Sequence, residues 1–127
     1  MKKFTSVFTT AGAAALLAAG MSFSGAAMAQ GDEGLSDSAK AGKEIAFGRG
    51  AGNCLACHQI QGGNLAGNIG PALIAMKARY PEREDLKAVI YDARDKFGAQ
   101  TIMPPFGANN ILNDEEIENI VDFLYTL

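Results

Sequence analysis

An all-α fold is the class that this sequence of 127 residues predicts, and three observations lead to it. Apolar residues recur at three- and four-residue steps in several segments, the spacing that places them on one face of a helix. No segment shows the apolar and polar alternation of a half-buried strand. The intervening segments are rich in glycine, asparagine and proline, which interrupt regular structure. The length and the 48% hydrophobic content suit one small core.

The first 29 residues are predicted to be a cleaved secretory signal peptide. Lys2 and Lys3 give a positive start, an alanine-rich apolar run occupies residues 11–20, and the sequence AMA at residues 27–29 is a small-x-small cleavage site. The alternative, an uncleaved membrane anchor, is disfavoured because the apolar run is shorter than the roughly 20 residues that span a bilayer. We therefore expect a single mature domain over residues 30–127 in an exported protein.

The expected mature chain is acidic. Without Lys2 and Lys3, nine of the 11 Lys and Arg residues remain against 14 Asp and Glu residues, which gives a net charge of −5. Nucleic-acid binding relies on Lys and Arg to neutralise phosphates, so this composition does not support it. Basic residues between Lys77 and Lys96 and acidic residues after Asp114 are interpreted as solvated helix faces, with a steering surface for a partner as the alternative.

The first helix is predicted to begin after a cap at Ser36 or Asp37. It is expected to end where Gly48, Gly50 and Gly52 follow one another closely.

The next segment, QGGNLAGNIG at residues 61–70, has four glycines and two asparagines. It is therefore predicted to be an irregular loop that approaches another part of the molecule closely. A short helix is expected after Pro71, through Leu73, Ile74 and Met76.

A longer amphipathic helix is predicted to start in the turn that contains Pro81 and to end at Gly98. Its apolar positions recur at three- and four-residue steps: Leu86, Val89, Ile90, Ala93 and Phe97. Residues 101–110, TIMPPFGANN, are predicted to be irregular, because adjacent prolines remove backbone donors and restrict Met103 to extended geometry.

The last helix is predicted to start at a capping box formed by Asn113 and Glu116. Its apolar face is formed by Ile117, Ile120, Val121 and Leu124.

Both cysteines and the one histidine of the chain lie in NCLACHQ at residues 53–59. Two cysteines separated by two residues and followed directly by a histidine have the spacing of covalent c-type haem attachment. A structural zinc site needs four ligands around the metal, and Cys54, Cys57 and His58 are too close together to surround one. A redox-active disulfide is the other alternative, but it expects a βαβ pattern that this sequence lacks. We therefore predict one haem c, with Cys54 and Cys57 attached covalently and His58 as an axial ligand of the iron.

A second axial ligand is expected from a methionine, whose thioether is the usual partner of imidazole in electron-transfer haems. Met76 and Met103 are the two methionines that remain after cleavage. Met76 falls on the apolar face of a predicted helix, where methionine is most often core filler. The sequence favours Met103, because Pro104 and Pro105 hold its loop in place.

Five segments, taken in order, resemble a known family. They are GNCLACH at 52–58, GNIGPAL at 67–73, MKARYP at 76–81, MPPFG at 103–107 and DFLYTL at 122–127. The mature chain resembles a class I cytochrome c and is similar, more narrowly, to SoxX, the monohaem subunits of SoxAX sulfur-oxidation complexes. The resemblance implies a class I cytochrome c-like fold, a few helices wrapped around one covalently attached haem. It also implies that the Gly70-Pro71 step accepts a hydrogen bond from His58. The alternative is that Pro71 merely starts the short helix, and the two roles can coexist.

The same resemblance implies a periplasmic heterodimer with SoxA. Such a complex acts as an L-cysteine S-thiosulfotransferase, which joins thiosulfate oxidatively to a cysteine of the SoxYZ carrier, and its SoxX subunit passes the electrons to a small cytochrome. Because both thiols and the imidazole are committed to haem, no catalytic residue is expected on this chain. The alternative is a free periplasmic class I cytochrome c electron shuttle without an enzymatic partner, which would not co-purify with a second cytochrome.

Overall fold

The computed structural model describes residues 32–127, so the predicted signal peptide lies outside the described residues. The regular structure of this part is α1 (Asp37–Phe47), a 3₁₀ turn (Cys54–Ala56), α2 (Met76–Arg79), α3 (Arg83–Tyr91), α4 (Ala93–Phe97) and α5 (Asp114–Leu124). Within residues 32–127, β-type pairing is limited to one isolated parallel bridge between Ile60 and Leu73. Each helix in this range is too short, or not apolar enough, to cross a membrane. The prediction of an all-α fold is confirmed.

The predicted caps of the first and last helices are confirmed. Ser36 Oγ accepts a hydrogen bond from the backbone N–H of Ala39 (3.1 Å), and Gly48 is the residue at which α1 ends. At the start of α5, Asn113 Oδ1 accepts from the N–H of Glu116 (2.9 Å) and Glu116 Oε2 accepts from the N–H of Asn113 (2.8 Å). These local hydrogen bonds satisfy amide donors that have no partner within the helix.

Helices α1 and α5 cross at very short range. A Cβ atom added to Gly42 would lie 1.9 Å from the carbonyl oxygen of Asn119, so the two backbones approach each other where α1 has no side chain. Beside this crossing, the rings of Phe47 and Phe123 meet edge to face, with centroids 5.7 Å apart. The four residues predicted to form the apolar face of α5 are all buried: Ile117, Ile120, Val121 and Leu124.

The predicted short helix after Pro71 is wrong in its position, because α2 begins only at Met76. Leu73 is extended instead: its N–H donates to the carbonyl of Gln59 (2.8 Å) as part of the bridge to Ile60. A backbone donor used in this way is not available to a helix. The helix therefore begins only after the residues that pair with the preceding segment.

The single long helix predicted between Pro81 and Gly98 is also wrong, because it is two helices. The first begins at Arg83, and the chain turns out of helical geometry at Asp92, whose φ is −151° and ψ 98°. The Asp92 carboxylate then accepts from the N–H of Arg94 (3.0 Å) and caps α4. Gly98 ends α4 as predicted.

An ion-pair network joins α3 to α5. Arg83 Nη2 lies 2.8 Å from Glu118 Oε2, Arg83 Nη1 lies 2.7 Å from Asp122 Oδ1, and Lys87 Nζ lies 2.6 Å from Glu118 Oε1. The hydrogen bonds from Lys87 and from Arg83 hold the pKa of Glu118 below its ordinary value. The network therefore ties the outer faces of the two helices whose inner faces line the cavity described next.

Candidate haem site

A cavity of about 660 Å³ opens between α2, α3, α5 and the loop that follows α4. Its volume lies within the range of about 300–1,000 Å³ typical of ligand and cofactor sites. Most of its wall is apolar and includes Leu86, Val89, Ile90, Phe106, Leu112, Ile120 and Leu124. No polar or charged residue within residues 32–127 is fully buried, and the charged residues at the cavity wall are Arg49 and Arg79.

The CxxCH segment forms one wall of this cavity. Cys54, Cys57 and His58 all line it. They sit on a tight turn in which the carbonyl of Cys54 accepts from the N–H of Cys57 (3.2 Å) and of His58 (2.8 Å). Both thiols are free and half-buried, and burial raises the pKa of the Cys54 thiol to about 11. The turn therefore directs two thiols and one imidazole at the same apolar space.

The imidazole of His58 is oriented by a backbone carbonyl. Its Nδ1 lies 2.7 Å from the carbonyl oxygen of Pro71. A carbonyl oxygen can only accept a hydrogen bond, so Nδ1 carries the proton and Nε2 is the nitrogen left to bind a metal. A Cβ atom at Gly70 would lie 2.4 Å from Cε1 of His58, so only glycine leaves room for the ring. Pro71 itself does not start a helix, since α2 begins five residues later.

The glycine-rich loop of residues 61–70 is irregular, as predicted, and lies against the CxxCH turn. Two backbone hydrogen bonds hold it there: Gly67 N–H donates to Leu55 O (2.7 Å) and Gly70 N–H donates to Cys57 O (2.8 Å). The loop is therefore fastened to the turn whose histidine it positions.

The two candidate methionines lie in different surroundings, although both contribute to the cavity wall. Met76 is buried on α2, and its Sδ lies 3.5 Å from Nη1 of Arg79. That same Nη1 donates to the carbonyl of Ala72 (2.9 Å), so the sulfur of Met76 lies beside the segment that holds His58. Met103 is half-buried in the irregular loop after α4. The role of Met103 as the second ligand of the iron stays a prediction.

Arg79 lines this site, although its sequence context indicates only a solvated basic stretch. An arginine in a short exposed helix carries no pattern of its own. The one available signal was its place within MKARYP, one of the five family-like segments.

The residues present fit a covalently attached haem. Two free thiols and an imidazole with an available Nε2 face one large apolar cavity, the set of donors that c-type attachment needs. Within residues 32–127, no group of three or more His, Cys, Asp and Glu side chains converges in a way that would hold a bare metal ion.

Comparison with known proteins agrees with this chemistry. The family model of cytochrome c matches residues 39–127, a range that includes the CxxCH turn, the glycine-rich loop and Met103. No curated protein matches the chain. Because the family match covers nearly all of the described domain, the chain belongs to the cytochrome c family, whose members bind haem c covalently and transfer electrons.

Proposed function

We propose that this chain is the electron-accepting monohaem subunit of a periplasmic SoxAX complex. In this role it works beside SoxA while thiosulfate is joined to a cysteine of the SoxYZ carrier, and it delivers the electrons to a small cytochrome. The complex as a whole is then an L-cysteine S-thiosulfotransferase, of which this chain is the redox subunit.

The observation that carries the proposal is where the five SoxX-like segments lie. Each of them contributes at least one residue to the wall of the cavity, although they are spread over residues 52–127: His58, Pro71, Arg79, Met103 and Leu124 are examples, one from each. A resemblance restricted to CxxCH would support only a general cytochrome c. Resemblance throughout the surroundings of the predicted haem supports the narrower proposal.

Within this proposal the residues of the chain have distinct roles. Cys54 and Cys57 would hold haem through thioether bonds, and His58 and Met103 would bind its iron. When bound, haem supplies a site that takes up and releases one electron. The Pro71 carbonyl keeps the imidazole in one tautomer and orientation, and the apolar wall keeps water away from the site.

The sulfur chemistry must take place on other subunits. Joining a thiol to thiosulfate forms an S–S bond and releases one proton and two electrons, and a subunit with one haem accepts these electrons singly. The only thiols of the chain are Cys54 and Cys57, and its only imidazole is that of His58. Once these three groups are committed to haem, no group of this kind remains to carry a sulfur substrate.

Reduction of the purified haem protein by thiosulfate tests the proposal. With SoxA and the SoxYZ carrier present, we expect thiosulfate to reduce the haem within the time of catalytic turnover. We expect no comparable reduction when either SoxA or the carrier is omitted, since neither the substrate site nor the receiving thiol is on this chain. The increase in absorption of the reduced haem with time measures the rate of this reduction.

Recovery of the protein from its own periplasm provides an independent arm of the test. A second cytochrome that co-purifies in equal amount supports the SoxAX proposal. A monomeric protein that exchanges electrons with a terminal oxidase, and whose reduction by thiosulfate is indifferent to SoxA, contradicts it and supports a free electron shuttle.

A further inference from the structure

Arg79 donates a side-chain hydrogen bond to the segment that carries the histidine acceptor. Its Nη1 donates to the carbonyl of Ala72 at 2.9 Å, and Ala72 directly follows Pro71, whose carbonyl lies 2.7 Å from Nδ1 of His58. The guanidinium and the imidazole are therefore bonded to consecutive carbonyl groups of one short stretch of backbone.

Among the residues that the structure describes, backbone hydrogen bonds anchor this stretch at its two ends. Gly70 N–H donates to Cys57 O (2.8 Å), and Leu73 N–H donates to Gln59 O (2.8 Å). Between these anchors, Pro71 has no N–H to donate. The carbonyl groups of the intervening residues make two side-chain contacts, one with His58 and one with Arg79, and both contacts act on the orientation of their peptide groups.

We propose that Arg79 is a positioning residue that fixes the Pro71 carbonyl against His58. A firm hydrogen bond from Nδ1 to this carbonyl makes the imidazole a more basic iron ligand, which favours oxidised iron and lowers the reduction potential. Arg79 thereby sets the strength of the histidine ligand without touching it. The inference rests on ligation of the iron by His58 and on family-level haem attachment, and it does not depend on the thiosulfate function.

A purely electrostatic role for Arg79 predicts the opposite change in potential. Arg79 lines the cavity, so its positive charge acts on the site directly. Removing a positive charge near the iron favours the more positive oxidised state and lowers the potential. Loosening the hydrogen bond of the histidine raises the reduction potential. The sign of the change in potential therefore distinguishes the two roles.

The test compares Arg79→Gln with Lys77→Gln in the purified haem protein. Lys77 lies on the same helix, is exposed and does not line the cavity, so its variant removes one charge without touching the carbonyl segment. Exchange of the His58 Nδ1 proton with solvent is measured by NMR in the reduced protein, and the reduction potential is measured by titration. In Arg79→Gln we expect exchange to be about fivefold faster, the factor that corresponds to a lost hydrogen bond of about 1 kcal/mol. We also expect a potential above that of Lys77→Gln.

Three results would overturn the inference. They are an unchanged exchange rate in Arg79→Gln, an equal acceleration in Lys77→Gln, or a potential in Arg79→Gln at or below that of Lys77→Gln. Arg79→Lys provides a second variant that keeps the charge but loses the planar fork of donors. Its exchange rate is expected to lie between those of the wild type and Arg79→Gln. A rate equal to that of the wild type would show that a positive charge at residue 79 is enough to hold the carbonyl segment, without the planar fork of donors. None of these measurements needs SoxA or thiosulfate, so they remain decisive even if the thiosulfate experiment fails.

Discussion

The loop that holds the histidine and the helices that pack around the cavity keep their positions by different interactions. Residues 61–73 are fastened to the CxxCH turn by backbone hydrogen bonds and by glycines that permit close approach. Helices α1, α3 and α5 are held by buried apolar side chains and by the ion pairs of Arg83. Substitutions in α1, α3 and α5 should therefore act mainly on stability, and substitutions in the loop mainly on the properties of the haem.

The two methionines give the largest expected contrast between these regions. We expect Met103→Ala to abolish the sulfur-to-iron absorption band near the red end of the spectrum of the oxidised protein. Met76→Ala should keep this band but lower the free energy of unfolding by about 2–5 kcal/mol, the cost of truncating a buried methionine. Absorption spectra and denaturant titration measure the two effects. Loss of the band in Met76→Ala and its survival in Met103→Ala would reverse the assignment.

The crossing of α1 and α5 is expected to be the position in the helices most sensitive to a single added methyl group. Gly42→Ala should lower the free energy of unfolding by about 3 kcal/mol, because its Cβ would meet the Asn119 carbonyl and force the helices apart. This steric cost outweighs the gain in stability of about 1 kcal/mol that alanine brings to a helix relative to glycine. Gly50→Ala is the matched control, since no atom lies within 4 Å of the added Cβ, and a change within about 0.5 kcal/mol is expected. Equal stability of the two variants in denaturant titration would refute the close crossing.

A single hydrogen bond that joins α5 to the end of α2 should have a smaller effect. The hydroxyl of Tyr125 donates to the carbonyl of Tyr80 at 2.8 Å in partly buried surroundings. We expect Tyr125→Phe to reduce the free energy of unfolding by about 1 kcal/mol. Tyr91→Phe, at an exposed ring, is the control and should leave stability nearly unchanged. A Tyr125→Phe variant as stable as this control would show that the hydrogen bond makes no net contribution.

The ion pairs of α3 and α5 should give the smallest effect and a pH dependence. Because the folded protein holds the pKa of Glu118 below its ordinary value, this carboxylate stabilises the fold above the usual glutamate pKa of about 4.3. That contribution is lost as the pH falls through the lower, folded pKa. At neutral pH we expect Glu118→Gln to cost about 0.5 kcal/mol, a value reduced by solvent screening of a network that is one-third exposed.

Denaturant titration from pH 7 to pH 3 measures this effect. Stability of Glu118→Gln should fall less on acidification than that of the wild type. Glu115→Gln, at an exposed position of the same helix, should keep the full acid dependence. Identical curves for the wild type and Glu118→Gln would contradict the assignment of this acid sensitivity to Glu118.

Patterns confined to a few neighbouring residues were predictable from the sequence. The capping box of Asn113 and Glu116 and the cap at Ser36 depend on contacts three residues apart, and both are present in the structure. The irregular segments around residues 61–70 and 101–110 were predictable for the same reason, since glycine and proline act on their own backbone.

Features that depend on contacts between distant segments were not predictable. Apolar spacing continued through Ala93, so it concealed the break at Asp92, where a side-chain cap competes with helix continuation. Gly42 appeared as an ordinary helix residue because Asn119 is far away in sequence. The contact of Arg79 with Ala72 likewise exists only after the chain turns back on itself.

The Gly42–Asn119 crossing closes a loop of 77 residues, which is 119 minus 42. The entropic cost of closing a flexible loop rises only with the logarithm of its length. Ten residues added to the glycine-rich segment would therefore raise that cost by only about 0.1 kcal/mol. The glycine-rich segment beside the CxxCH turn can thus change in length almost without weakening the contact between α1 and α5, so the length of this loop and the stability of the fold can vary separately.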